Sequence, residues 1–148
     1  MAKVNWQDTG DDIPQPGIYL AEIKSAKERR SGNGTNMFEV QLFDPMTGRE
    51  LCVDYIMLEG KGWKIGREKL LALGVDMTKD DVGEADVVNR LAYVAIVHET
   101  RTFEGKDGKP KTVVDAKVDR EATSPWCGYW HETQKPEGYE PKDQGAPF

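Results

Sequence analysis

Three things are scarce in this chain of 148 residues: long apolar runs, cysteine and net positive charge. No apolar stretch approaches the roughly 18 residues that a membrane-spanning helix needs. The opening residues, Met1 to Asp8, lack the apolar block of a secretory signal. A cytoplasmic protein with no membrane contact is expected. The two cysteines, Cys52 and Cys127, lie far apart without any framework spacing, which suits a reducing compartment and argues against a disulfide. Together with His98 and His131 they fit none of the paired spacings of structural zinc sites, so neither a metal nor a cofactor is expected. Gly60 to Gly66 carries glycines without the Gly-Lys-Ser/Thr ending of a Walker loop. The acid-x-Lys spacing used by some nucleases occurs at Glu22/Lys24 and Asp115/Lys117. It recurs at Lys61, Lys106, Lys109 and Lys142, several of them in turns, and so selects nothing. No catalytic residue is assigned, and the chain is not expected to be an enzyme.

The formal net charge of -6 weighs against nucleic acid until its distribution is considered. Residues 17–73 hold nine Lys/Arg against eight Asp/Glu, and residues 91–118 hold five against four, whereas residues 1–16, 74–90 and 119–148 are all acidic. A slightly positive body with acidic flanks is compatible with a nucleic-acid partner, although solvated surface charge accounts for it too. At 38% hydrophobic residues the chain can bury one ordinary core.

Period-two alternation marks the strands. Over residues 18–24, Tyr19, Ala21 and Ile23 share one face. Over residues 37–43, Phe38, Val40 and Leu42 point inward and Met37, Glu39, Gln41 and Phe43 outward. A turn at residues 44–48 leads into a third strand, residues 49–58, in which Asp54 is expected on the wet side and Tyr55 in the core. The period then changes: Trp63, Arg67, Leu70, Leu71 and Leu73 predict a helix over residues 61–73, with Trp63 as a core plug and Gly74 as a left-handed C-cap. The fourth strand, residues 91–103, opens on a continuous apolar run, so both of its faces are covered. The helix, the tail or a second subunit of a homodimer are the candidates for that cover. The fifth, residues 111–118, puts Val114, Ala116 and Val118 inward. Beyond Glu121 periodicity ends, and Trp126, Tyr129 and Trp130 are expected to dock on the outside of the fourth strand.

Three strands, a helix and two strands is the order of the five-stranded Greek-key OB-fold barrel, with an extended C-terminal tail, although a small sandwich or another half-open barrel fits the same order. The organisation is then an extended lead-in over residues 1–16, an OB domain over residues 17–120 and an acidic, partly disordered tail over residues 121–148. Positive charge gathers where an OB-fold closes on an oligonucleotide. The stretch at residues 27–36, with Lys27, Arg29, Arg30, Gly32 and Gly34, reads as a loop able to lie along a phosphodiester backbone, or as a hairpin loop turning at Asn33-Gly34. The stretch at residues 101–111 combines Arg101, Lys106, Lys109 and Lys111 with Phe103, which is what a stacking, sequence-tolerant site needs. Lys24 joins this cationic set. Phe43, outward by parity, is the first choice as a base-stacking platform, and Met37 adds a soft contact on the same face.

The motifs Pro16-Gly17-x-Tyr19, Ala26, Ser31-Gly32-x-Gly34-Thr35-x-Met37 and Leu73-Gly74 resemble those of a phage-encoded family of OB-fold single-stranded-DNA-binding proteins, over roughly residues 13–118. The resemblance implies a protein that protects or organises single-stranded DNA in phage replication or recombination, inside the host cytoplasm. The ending Gly145-Ala-Pro-Phe148 resembles the Pro-Phe tip of bacterial single-strand-binding tails. It implies that Pro147 and Phe148 engage replication or recombination proteins, although the acids upstream are interrupted by Lys135 and Lys142. The alternative is a phage adaptor or recombination accessory protein that uses the barrel for protein contacts.

Overall fold

Inward-facing side chains from five consecutive strands meet in one core, and the strands that carry them form a single antiparallel sheet. This computed structural model describes residues 13–30, 32, 34–78, 81–122 and 127–139. The strands are β1 (Gly17–Arg30), β2 (Asn36–Phe43), β3 (Glu50–Met57), β4 (Leu91–Glu104), β5 (Pro110–Val118) and β6 (Tyr129–His131). Helix α1 (Trp63–Ala72), entered through a 3-10 turn at Gly60–Gly62, connects β3 towards β4, and a single-turn helix α2 (Glu84–Val87) follows it. The hydrogen-bonded order is β3-β2-β1-β4-β5, with β6 added to β4. β3 and β5 come close to each other without forming a ladder, so the sheet curls but does not close. Among the described residues no helix is long and apolar enough to cross a membrane.

Curling depends on β1, which serves two partners. Its first part, Gly17 to Glu22, pairs with β4, and from Glu22 onward it pairs with β2, with an irregularity in register between Ile23 and Ser25. A bulge bends a strand and raises its twist. The backbone groups of Ile23 are satisfied from outside the ladder: its N-H donates to the Arg90 carbonyl at 3.0 Å, and its carbonyl accepts from Asn89 N-H at 2.8 Å.

The alternation expected for β2 is observed, with Phe38, Val40 and Leu42 fully buried. In β3 Leu51 is buried as expected, but from Cys52 onward the expected parity is reversed. Cys52 and Ile56 are buried, while Val53 is 40% and Tyr55 46% exposed. The register explains the reversal, because Asp54 pairs with Val40 and Tyr55 with Glu39, and cross-strand partners share a face. Asp54 can turn inward because Lys69 of α1 and Tyr129 of β6 meet it there: Lys69 Nζ and Tyr129 Oη each lie 2.7 Å from Asp54 Oδ2. Val114, expected inward, is instead exposed, since the outer part of the β4–β5 hairpin runs beyond the core.

Helix α1 matches the predicted span closely, and Trp63 packs against the core as expected. Gly66, a poor helix former in mid-helix, is there for close approach: a Cβ at that position would lie 1.9 Å from the Met57 carbonyl oxygen of β3. Gly74 closes the helix with φ +76°, donating to the Leu71 carbonyl while Val75 donates to that of Leu70. Ala92, Val94, Ala95, Ile96 and Val97 of β4 are all buried. The tail does not dock on the outside as expected: it adds β6 to the edge of β4 at Ala92 to Val94, with Ala95 N-H donating to the Gly128 carbonyl, and Tyr129, paired with Val94, turns into the core. Trp126 lies outside the described residues.

Candidate nucleic-acid interface

The side of the β1–β2–β3 sheet turned away from the core carries three cross-strand rows. Near the β1–β2 loop, Arg29, Met37 and Met57 stand side by side; next come Lys27, Glu39 and Tyr55; then Ser25, Gln41 and Val53. Directly opposed side chains in such rows are about 5 Å apart at Cβ. A cation, an acceptor and an exposed ring therefore share a patch only a few side chains wide. Arg29 Nε lies 3.4 Å from Glu39 Oε1, which draws the arginine across the face. Lys27 has no ion-pair partner among the described residues and projects freely.

Half of the expected loop at residues 27–36 is paired strand, not loop: Arg30 still pairs with Asn36, and residues 31–35 connect them. This is a correction with a consequence, because pairing fixes which way each cation points. Lys27 and Arg29 go to the outer face, whereas Arg30 has the opposite parity and folds back, its Nη1 donating to the Gly34 carbonyl at 2.9 Å. Lys24 sits in the β1 bulge beside Glu22, 3.5 Å away. Met37 lies on the outer face, half-buried between Arg29 and Met57. Phe43 is outward too, but half-buried at the far end of β2, with Glu22 and Glu50 as its strand partners. The ring at the centre of the face belongs to Tyr55, placed in the core by the sequence pattern.

The second basic stretch is the outer part of the β4–β5 hairpin. Phe103 pairs with Lys111 and Arg101 with Val113, so these four share one side of the ribbon, and Phe103 is 45% exposed. Arg101 Nε is held by Asp115 Oδ2 at 2.6 Å. Lys106 and Lys109 stand in the turn at the tip, where the Gly105 N-H donates to the Lys109 carbonyl. With Lys111 they have no ion-pair partner among the described residues. Pro147 and Phe148 lie outside the described residues.

A cleft of about 910 Å³ separates β3 from Glu99 and Arg101 of β4 and residues 115–118 of β5. It is lined by Glu50, Asp54, Glu99, Asp115, Asp119 and Glu121 against four cations, three of which are bound to acids of the same set. Val53, Tyr55 and Met57 of the outer face line it too, so that face borders an acidic cleft on its β3 side, and such a lining disfavours anions. Lys69 is 2% exposed and committed to Asp54 and, at 3.0 Å, to the Tyr55 carbonyl. Burial and then the Asp54 carboxylate push the Tyr129 phenol well above its ordinary range, keeping it a neutral donor. The same two causes raise the Cys52 thiol. Cys52 and Cys127 are both buried, and the Cys127 thiol meets the backbone of Tyr129. No group of three or more His, Cys, Asp or Glu side chains arranged to hold a metal occurs among the described residues. Comparison with protein-family models and with curated proteins finds no match for this chain.

Proposed function

We propose that this chain is an OB-fold single-stranded-DNA-binding protein, tolerant of sequence, that protects or organises single strands in phage replication or recombination. Support for the OB reading comes from the strand path β3-β2-β1-β4-β5, the helix between β3 and β4, and the nearness of β3 to β5. The observation that carries the function is the patch on the outer face, where Tyr55 lies in one cross-strand row with Lys27 and next to Arg29, Met37 and Met57. Bases stack on the ring and the sulfur side chains, and phosphates follow the cations. The β4–β5 hairpin, with Phe103, Lys106, Lys109 and Lys111, supplies a second basic and aromatic element.

Counterion release makes this reading quantitative. For a single strand, log affinity falls with log salt with a slope of about 0.7 for each phosphate neutralised. Lys27→Ala and Lys111→Ala are each expected to weaken oligo(dT) binding and to reduce that slope by about 0.7. Both side chains are exposed, so folding is expected to be unaffected. Fluorescence anisotropy at several salt concentrations checks this, and slopes unchanged in both variants would remove these lysines from the interface.

A further inference from the structure

A carboxylate in the middle of a surface offered to a polyanion demands its own account. Glu39 sits there, flanked across the strands by Lys27 and Tyr55, and pointed away from the core. Phosphate gains nothing from it. A base stacked on Tyr55, however, extends over the neighbouring strand, because directly opposed side chains are only about 5 Å apart. Its edge then faces Glu39. An ionised carboxylate is an acceptor only, with two oxygens side by side. Among the four bases only guanine presents two adjacent donors, N1-H and the N2 amino group, on its Watson–Crick edge. Cytosine and adenine each set an acceptor beside their amino group, and thymine flanks its single N-H with two carbonyls. Arg29 holds Glu39 Oε1 at 3.4 Å, which restrains the carboxylate on the face.

We propose that Glu39 reads guanine, so that the base stacked on Tyr55 is preferentially dG while the rest of the path accepts any sequence. The inference rests on the single-strand-binding reading above. A good bidentate contact discriminates by roughly five- to a hundredfold against the wrong base.

The test compares labelled oligonucleotides of equal length, d(TG) repeats against oligo(dT), d(TC) and d(TA), by anisotropy at fixed salt. Tighter binding of d(TG) by about tenfold is expected. Replacing dG by deoxyinosine, which lacks the N2 amino group, removes one of the two donors and should lose most of the advantage. Glu39→Gln preserves size but turns one acceptor into a donor. It is expected to erase the dG preference, so that d(TG) repeats and oligo(dT) are bound with equal affinity. Equal affinity of the wild-type protein for d(TG) and oligo(dT) would overturn the proposal. So would a Glu39→Gln variant in which every oligonucleotide tightens by the same factor, because Glu39 would then act only as a charge. Binding of oligo(dT) without a dG preference refutes this inference alone, whereas failure to bind any of the four at low salt refutes the function on which it rests.

Discussion

Lys69→Met is expected to lower folding stability by about 3–5 kcal/mol, the cost of leaving a buried carboxylate without its cation. Lys69 is 2% exposed, and its Nζ lies 2.7 Å from Asp54 Oδ2 and 3.0 Å from the Tyr55 carbonyl. Tyr129 still donates to Asp54 in the variant, which keeps the loss from being larger. For a chain of this length such a loss lowers Tm on the order of 10 °C. The double variant Lys69→Met with Asp54→Asn removes both charges and is expected to recover most of the stability, since neutral replacement of a buried pair is often close to cost-free. Thermal denaturation of the three proteins checks this. A double variant no more stable than the single one would mean that packing, not charge compensation, is what Lys69 supplies. The pair also ties α1 and β6 to β3, next to the residue that presents the central ring of the outer face.

The second large effect concerns that ring. Tyr55→Ala is expected to weaken oligo(dT) binding by about 1–3 kcal/mol, roughly five- to a hundredfold, with the salt slope unchanged, because stacking releases no counterions. Tyr55 is 46% exposed, so its removal opens no core cavity. Phe43→Ala is expected to have the smaller effect, as Phe43 is half-buried and has Glu22 and Glu50 as its strand partners. Equilibrium titration of both variants decides between the two ends of the face. A greater loss for Phe43→Ala would return the platform to the end of β2.

Why Tyr55 escaped the sequence pattern is instructive. Six of the eight residues of β3 from Leu51 to Ile56 admit two opposite parities, since Leu51, Val53 and Tyr55 look as apolar as Cys52 and Ile56. The deciding residue was Asp54, and a carboxylate normally marks the solvent side. Its partners lie 15 and 75 residues further on, at Lys69 and Tyr129, beyond the reach of any local window. A lysine amid Leu70, Leu71 and Leu73 was the available clue, because its position on α1 turns it towards the core. The helix, its Gly74 cap, the inward set of β2 and the double cover of β4 were all legible, because each depends on near neighbours and period alone. The extent of β1 was not. Lys27, Glu28, Arg29 and Arg30 have the composition of a solvated loop, and only pairing with residues 36–39 of β2 makes them strand. The sixth strand is three residues long, too short to show a period.

The central claim is that unpaired bases stack on the outer face of β1, β2 and β3. The most direct measurement is a competition titration at low salt, with labelled oligo(dT) bound to the wild-type protein and displaced by unlabelled oligo(dT) or by duplex DNA of the same length. A duplex keeps its bases paired and stacked, offering phosphates but no free base faces. Displacement by the single strand at a concentration at least about tenfold below that needed for the duplex is the predicted result. Equal displacement by both, or no binding of oligo(dT) at all, would contradict it.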